Sequence, residues 1–384
     1  MRFSKYTQAI KSFQNMPDES IHFFWKARVG LYTILKAMGV KEGDEVILPA
    51  FTCVVVPNAI LYLGAIPIYV DVSSDTYNFD IPHIEKVITN RTKVIICQNT
   101  YGLSSDLEEL TSLAKKHGLF TVEDCTHGFG GTYNGLPNGL SCDAAIYSTQ
   151  WNKPFSTGIG GFLVTKNIKL ADKVTALSAK LMPPTWKELL NLKLLFFVKR
   201  YLINQYTYWP LVNFYRWLSH NTSIIGSSTS EEITSLEMPE DYFKAFSDVQ
   251  AKEGLRNISK LEDDLKKRKE NALLYTDFLK SRNKNHVSED LFPNHSFLKY
   301  PLLVKNRDEF MKLATDARIA LGEWFISPLH PVEGDLSLWK FNSDDFPVAM
   351  YLSKHVVNLP TTPSNIKRIF KFLDKHADYI IDTE

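Results

Sequence analysis

The middle of the chain places a carboxylate and an amine directly after two candidate strands. Asp124 follows the apolar segment 120–123, and Lys153 lies five residues after Ser148, which follows the apolar segment 144–147. The carboxyl ends of parallel strands open into one crevice where ligands bind, so we expect both side chains to face that crevice. A lysine amine can form an imine with a carbonyl compound, and a nearby carboxylate can stabilise a cationic partner.

These residue types meet the requirements of pyridoxal-phosphate (PLP) chemistry. That chemistry needs a lysine for the imine, a carboxylate that keeps the pyridine nitrogen protonated, and donors for the phosphate. All three types occur between Thr121 and Thr165, which also contains the glycine-rich turn at 158–161. Taken singly, Lys153 could be a solvated surface residue and Asp124 a turn or helix-cap residue. The hypothesis therefore depends on their combination.

Alternating apolar and amphipathic segments around these residues predict an α/β fold with a mainly parallel sheet that helices cover on both faces. At 384 residues the chain exceeds one hydrophobic core, so we expect a large domain over 1–250 and a smaller α/β domain over 251–384. The expected strands are 44–48, 66–70, 94–97, 120–123, 144–147, 161–165, 302–304 and 356–359. The expected helices are 54–63, 81–88, 107–117, one long helix over 250–280, and a last one that follows Pro363-Ser364 and runs through Leu373.

Residues 176–236 interrupt this pattern. The segment Leu189 to Leu218 is rich in Leu, Phe, Tyr and Trp but also carries basic residues, which are Lys193, Lys199, Arg200 and Arg216. A membrane span needs about 18 or more apolar residues with few or no charges, so these charges argue against one. Two interpretations remain. A helical insertion could cover its hydrophobic face against the body of the protein or a partner subunit, which is the plainer case, or a basic, aromatic helix could lie on a membrane surface.

The overall composition excludes some classes of function. The 44 Lys and Arg residues nearly balance the 43 Asp and Glu residues, so the chain has no charge excess that would attract nucleic acid. Its four cysteines show no C-x-x-C spacing, which indicates a reducing compartment and predicts neither disulfides nor a bound metal. Residues 1–16 contain no apolar signal segment, so we expect a cytoplasmic protein.

Ordered sequence blocks resemble the DegT/StrS-type sugar aminotransferases, which are fold type I PLP enzymes. The resemblance extends over nearly the whole chain, through residues 37–52, 58–60, 64–71, 89–95, 101–102 and 123–127. It implies a large domain with a mixed, mainly parallel sheet, a small C-terminal domain, and a homodimer with two sites at the interface. The family segment that reaches into the partner's site aligns with Phe243-Lys-Ala245, which departs from the family's Asn-Tyr-Arg.

The resemblance also implies roles for residues of the Asp124 to Lys153 region. Asp124 would pair with the pyridinium nitrogen, His127 would lie by the cofactor ring, Ser148 would bind the phosphate, and Lys153 would form the imine. The implied reaction moves an amino group from an amino acid, with glutamate as the expected donor, to PLP. The resulting pyridoxamine phosphate then aminates a keto-sugar, expected to be nucleotide-linked, for amino-sugar and surface polysaccharide biosynthesis.

Three further positions follow from the resemblance. The phosphate-binding helix start aligns with Ala27 and Arg28, where Arg28 could contact the phosphate or face solvent. The aromatic residue that stacks on the cofactor aligns near Cys53, so either Phe51 substitutes or the ring rests on a smaller neighbour. His330, within Ser327-Pro-Leu-His-Pro331, is the substrate-contact candidate.

Two other functions compete with transamination. A sugar dehydratase of the same family has histidine in place of the lysine, so Lys153 argues against that reaction. A PLP-fold protein used only for binding or regulation would be expected to lose Lys153 or Asp124, and both are present.

Overall fold

The computed structural model describes residues 2–16, 20–203, 207, 209, 232–363 and 365–383. Within the insertion predicted at 176–236, residues 204–206, 208 and 210–231, which include Arg216 and Leu218, lie outside the described residues, and so does Ser364. The helices are α1 (Arg2–Gln14), α2 (Ala27–Ala37), α3 (Val55–Leu61), α4 (Ile84–Val87), α5 (Leu107–His117), α6 (Ile168–Ser178), α7 (Trp186–Phe197), α8 (Asp248–Ile258), α9 (Leu261–Lys280), α10 (Arg307–Asp316), α11 (Pro347–His355) and α12 (Ile366–Lys375). The strands are β1 (Ser20–Phe24), β2 (Glu45–Pro49), β3 (Thr52–Cys53), β4 (Ile66–Val70), β5 (Thr92–Gln98), β6 (Phe120–Asp124), β7 (Thr132–Tyr133), β8 (Leu136–Pro137), β9 (Ala144–Ser148), β10 (Gly161–Thr165), β11 (Tyr300–Leu303), β12 (Leu329–His330) and β13 (Val356–Leu359).

Within the described residues, seven strands form the central sheet in the order β1-β10-β9-β6-β5-β2-β4. The five strands from β9 to β4 run parallel, and β10 is antiparallel to both of its neighbours. Every residue of β2, β9 and β10 is buried, as a sheet covered by helices on both faces requires. The predicted α/β fold with a mixed, mostly parallel sheet is confirmed. The carboxyl ends of β6 and β9 therefore lie side by side.

Two of the differences between the predicted and the observed elements have a clear physical reason. β1 was not predicted because it is a half-exposed edge strand, with no continuous apolar run. The single helix predicted over 250–280 is wrong, because the chain turns at Ser259 and Lys260. There the N–H of Lys260 bonds the carbonyl of Asn257 (3.2 Å), the tighter pattern that ends α8 before α9 begins.

The C-terminal part packs in two places. Strands β11 and β13 form an antiparallel sheet over a core that includes Tyr275 and Phe310. The segment between α10 and β13 instead returns to the large sheet, where Leu329 and Trp339 belong to the same core as Phe51. Strand β12 pairs in parallel with β3, which sets His330 opposite Cys53. The predicted domain division at residue 250 stays a prediction.

Candidate active site

A cavity of about 430 Å³ lies at the carboxyl ends of β6 and β9. This volume is in the range of small-molecule sites. Its walls include all the site residues that the sequence predicted, which are Ala27, Arg28, Cys53, Asp124, His127, Ser148, Lys153 and His330. These residues come from four separate regions of the chain, and the sheet topology together with the β3–β12 pairing brings them together.

Asp124 is the last residue of β6 and is almost fully buried. Its Oδ1 accepts a hydrogen bond from the backbone N–H of Thr126 (3.0 Å). Burial raises the pKa of the Asp124 carboxyl, while this hydrogen bond and the positive charge of Lys153 oppose the increase. A cationic group at the cavity side of Asp124 would favour the ionised carboxylate in the same way.

Lys153 lies in the loop between β9 and β10, and its side chain borders the cavity. Desolvation lowers the pKa of Lys153 to about 8, and repulsion from Lys299 and Arg28 adds to the decrease. The carboxylate of Asp124 opposes it. A larger fraction of this amine is neutral near pH 7.5 than for a solvated lysine, and the neutral amine is the form that attacks a carbonyl group.

Polar side chains from α8 and α9 hold the loop that carries Lys153. The carbonyls of Pro154, Ser156 and Ile159 accept hydrogen bonds at 3.1, 2.6 and 2.7 Å from Arg268, Asn257 and Gln250, respectively. These three contacts fix the backbone of the loop segment that follows Lys153. The lysine is therefore positioned by residues about 100 positions later in the chain.

His127 is buried beneath an aromatic side chain from the C-terminal part. Its ring is nearly parallel to the Trp324 ring, with centres 4.8 Å apart and 3° between the planes. The His127 Nδ1 accepts a hydrogen bond from the backbone N–H of Tyr101 (3.2 Å). Burial, reinforced by the charge of Lys153, lowers the pKa of His127 well below its usual value. His127 is thus neutral, with its proton on Nε2.

The start of α2 lies at the same cavity as Ser148. Within the part of the chain that the structure describes, no side chain caps α2 at Lys26, which leaves the helix start available to an anion. Gly161 of β10 permits this arrangement, because a Cβ there would come within 2.4 Å of the Cα of Ala27. The hydroxyl of Ser148, at the end of β9, lines the same space.

Arg28 does not face solvent, which excludes one of the two sequence-based alternatives. Its side chain is 7% exposed and forms an ion pair with Glu232, which is 2% exposed. Glu232 also accepts a hydrogen bond from the hydroxyl of Tyr242 (3.1 Å). Direct contact between Arg28 and a phosphate stays a prediction, and the ion pair shows that part of its charge is already balanced.

The region near Cys53 offers a small side chain to the cavity. Cys53 lines the cavity, whereas the ring of Phe51 packs in the core against Tyr101 and Phe325. Phe51 therefore does not take the place of the missing stacking residue. His330 is adjacent to Cys53 through the β3–β12 pairing, and burial lowers the pKa of its imidazole to about 3.

Sequence reasoning missed Trp324, which lines the site, and Lys299, which lies beside Trp324. Trp324 lines the cavity, and its ring centre lies 4.4 Å from the Nζ of Lys153 and 5.2 Å from the Nζ of Lys299. Burial lowers the pKa of Lys299 to about 8. The aromatic pair Trp324-Phe325 just before Pro328 was a usable signal. Lys299 carried none, because it sits in an ordinary loop before β11.

The residues present fit PLP. A buried carboxylate can pair with the pyridine nitrogen, a lysine of lowered pKa can react with the aldehyde, and a helix start beside Ser148 can take the phosphate. His127 and Trp324 add flat rings to the cavity wall.

Comparison with known proteins gives a matching family. The sequence profile of the DegT/DnrJ/EryC1/StrS aminotransferase family matches residues 26–194 and 242–369. The interval between these segments, 195–241, overlaps the insertion predicted at 176–236 and extends five residues beyond its end.

Individual relatives extend this match. A GDP-perosamine synthase of Escherichia coli O157:H7 is 40% identical over 169 residues, which covers 43% of this chain but less than half, 46%, of that protein. The spore coat polysaccharide biosynthesis protein SpsC of Bacillus subtilis (strain 168) is 29% identical over 345 residues, 87% of this chain and 78% of SpsC. A DegT DnrJ EryC1 StrS aminotransferase from Brucella abortus has the same fold, with a TM-score of 0.75 at 20% identity over 98% of this chain and 90% of that one.

Proposed function

Because the chain belongs to the DegT/DnrJ/EryC1/StrS aminotransferase family, we propose that it is a PLP-dependent enzyme that transfers an amino group from an amino acid to a keto-sugar. The observation that carries this proposal is the presence of Lys153 and Asp124 on the wall of one cavity. The nucleotide-linked form of the sugar is supported by the GDP-perosamine synthase relative. Retention of Lys153 favours transamination over the dehydratase reaction.

The side chains have separate tasks in this reaction. Bound PLP supplies the electron sink that lets the Cα proton of the donor leave. Asp124 would hold the pyridine nitrogen protonated, and Ser148 with the start of α2 would bind the phosphate. Lys153 would hold the cofactor through its amine, and the free amine would move the Cα proton of the donor as general base and then general acid.

Lys299 is suited to bind a carboxylate of the amino donor. The Nζ atoms of Lys153 and Lys299 lie 4.4 and 5.2 Å from the centre of the same Trp324 ring. The distance between the two nitrogen atoms is therefore at most the sum of these two distances. A donor whose amino group replaces Lys153 carries its α-carboxylate only two bonds away, and glutamate carries a second carboxylate farther along its chain. The Lys299 side chain is partly shielded from solvent, which strengthens the attraction of its ammonium form for an anion.

Incubation of the purified enzyme with glutamate and a panel of nucleotide-linked keto-sugars tests the function. The expected result is 2-oxoglutarate and an amino-sugar whose mass matches exchange of the carbonyl oxygen for an amino group. Lys299→Met is expected to raise the KM for glutamate about 10-fold or more, the loss of one charge-assisted hydrogen bond, with the KM for the sugar unchanged. Release of 2-oxoglutarate without amino-sugar from any sugar tested would argue against the keto-sugar assignment.

The amino donor, the homodimer and a cytoplasmic location stay predictions. The homodimer bears on the site, because the resemblance implies that the segment aligned with Phe243-Lys-Ala245 reaches into the partner's site, and this segment departs from the family's Asn-Tyr-Arg. Sedimentation equilibrium of the purified enzyme would measure its mass against that of one chain.

A further inference from the structure

Helix α7, at the start of the insertion, has two apolar faces. One faces the protein, where Leu192 and Phe196 pack in a cluster with Trp25. The other, which we call the outer stripe, consists of Trp186, Leu190, Leu194, Phe197 and Tyr201, the last in the π-helical turn Val198–Leu202. Intervals of four, four, three and four residues place these side chains on one side of a helix.

The outer stripe is exposed. Trp186, Leu190, Leu194, Phe197 and Tyr201 are exposed by 70, 58, 57, 52 and 62%, respectively. A contiguous exposed apolar surface of this kind marks an interaction site in a folded protein. The plainer sequence interpretation, in which the helix covers its hydrophobic face against the body of the protein or a partner subunit, accounts for Leu192 and Phe196. It accounts for the outer stripe only if a partner subunit covers it.

The charges around the outer stripe indicate its partner. Segment 186–203 contains four basic residues, Lys187, Lys193, Lys199 and Arg200, and one acidic residue, Glu188. Glu188 forms a partly exposed ion pair with Lys244 (2.5 Å), and Arg200 forms one with Glu253 (2.7 Å). Lys187 and Lys193 are exposed. A helix with Trp, Leu and Phe on one face and lysines along its borders is the pattern of helices that lie in the head-group layer of an anionic bilayer.

A second copy of the chain fits this surface less well. In a symmetric contact the same patch faces itself, so Lys187 and Lys193 of both copies would approach each other without acidic partners. Within the described residues, no helix is long and apolar enough to cross a bilayer. A surface-lying helix remains compatible with that finding.

Helix α7 is also in contact with the cavity wall. Phe196 packs edge-on against Trp151 (5.5 Å between ring centres), and Trp151 lines the cavity. Phe196 and Leu192 lie so near Gly158 that a Cβ there would come within 2.7 and 2.8 Å of them. A partner bound to the outer stripe would therefore lie one helix thickness from the loop that carries Lys153.

We propose that the outer stripe of α7 binds the surface of anionic lipid bilayers and holds the active-site cavity beside the lipid head groups. This proposal is independent of the reaction catalysed. It requires only that the apolar side chains enter the bilayer interface and that Lys187 and Lys193 lie near lipid phosphates.

Co-sedimentation of the cofactor-loaded enzyme with vesicles tests the proposal. We expect binding to phosphatidylglycerol–phosphatidylcholine vesicles, weaker binding to phosphatidylcholine alone, and a decrease with added salt. Trp186→Ser/Leu190→Ser/Leu194→Ser should lower the bound fraction at least about 10-fold, because it removes three of the apolar side chains that enter the bilayer interface. The matched control Ile168→Ser/Leu338→Ser/Tyr351→Ser removes exposed apolar side chains elsewhere and should bind as the wild type.

A charge variant keeps the test decisive if the triple variant folds poorly. Lys187→Gln/Lys193→Gln leaves the outer stripe intact and should remove most of the preference for phosphatidylglycerol, with the cofactor absorbance and thermal unfolding unchanged. The proposal is overturned if the wild type does not bind phosphatidylglycerol vesicles, or if the triple variant binds them equally well. Loss of a dimer in the triple variant, without any vesicle binding by the wild type, would assign the surface to a second subunit instead.

Discussion

The side-chain nitrogen of Lys153 lies 4.4 Å from the centre of the Trp324 ring, which stacks in parallel on His127. The two residues are 171 positions apart, and the contact joins the C-terminal part to the loop after β9. Trp324 therefore shapes the environment of the reactive amine.

Replacement of Trp324 should affect the reaction more than the fold. Trp324→Leu removes an aromatic stack and a cation–π contact, each worth about 1 kcal/mol, so we expect the transamination rate to fall about 10-fold or more. Trp324→Phe should retain most of the rate. Steady-state kinetics would measure both variants, with thermal unfolding as the folding control. Equal rates for Trp324→Leu and the wild type would contradict a role for the ring.

The pKa of Lys153 predicts a pH dependence. The apoprotein reacts with PLP only through the neutral amine, so the rate should increase with pH and level off above about 8, whereas a solvated lysine would level off above about 10.4. Lys299→Met removes a positive charge that lowers the pKa of Lys153, so the midpoint should move to higher pH. Lys305→Met, at an exposed position, is the control. A midpoint that stays the same or decreases in Lys299→Met would contradict a repulsion between Lys299 and Lys153.

Asp124→Asn should disable the cofactor without removing its binding site. The amide cannot stabilise the protonated pyridine nitrogen, and loss of this charge-assisted hydrogen bond, about 2–3 kcal/mol, corresponds to roughly a 30- to 150-fold lower rate. Asp143→Asn is the matched control, because Asp143 precedes β9 at the opposite end of the same strands and bonds the N–H of Thr121 (2.8 Å). Similar losses in both variants would point to a structural effect rather than a chemical one.

The ion pair between Arg28 and Glu232 is buried, so loss of one partner should lower the stability of the fold much more than replacement of both by apolar residues. Glu232→Leu leaves the Arg28 charge buried, and removal of one partner of such a pair costs about 3–5 kcal/mol. The double variant Arg28→Met/Glu232→Leu should recover much of the loss in denaturant unfolding. Glu85→Gln, which breaks the exposed pair with Lys116, should have little effect. If the double variant were as unstable as the sum of the single ones, the two residues would not be coupled.

The sequence predicted the residues that follow strands. Asp124, Ser148 and Lys153 lie at or just after the ends of β6 and β9, so local apolar patterns were enough to place them at one edge of the sheet. The helix start at Ala27 was predicted through the family resemblance, and α2 begins there.

Residues that tertiary packing brings to the site region from distant parts of the chain could not be predicted from such local patterns. Lys299 and Glu232 reach the site region from distant segments, and neither their spacing nor their neighbours specify these contacts. The aromatic neighbour Phe325 was a signal for Trp324 but did not specify its contact with Lys153. The break between α8 and α9 was missed for a related reason. The charged segment 250–280 is compatible with one helix by pattern, and the turn at Ser259 shows only in the backbone hydrogen bonds.

The most direct test of the central claim is the absorbance spectrum of the purified enzyme before and after glutamate is added, beside the same spectra of Lys153→Ala. The account predicts a band of lysine-linked cofactor in the wild type that converts to the pyridoxamine form with glutamate, and no conversion at a comparable rate in the variant. Conversion of Lys153→Ala at the wild-type rate, or no cofactor band in the wild type even after PLP is supplied, would contradict it.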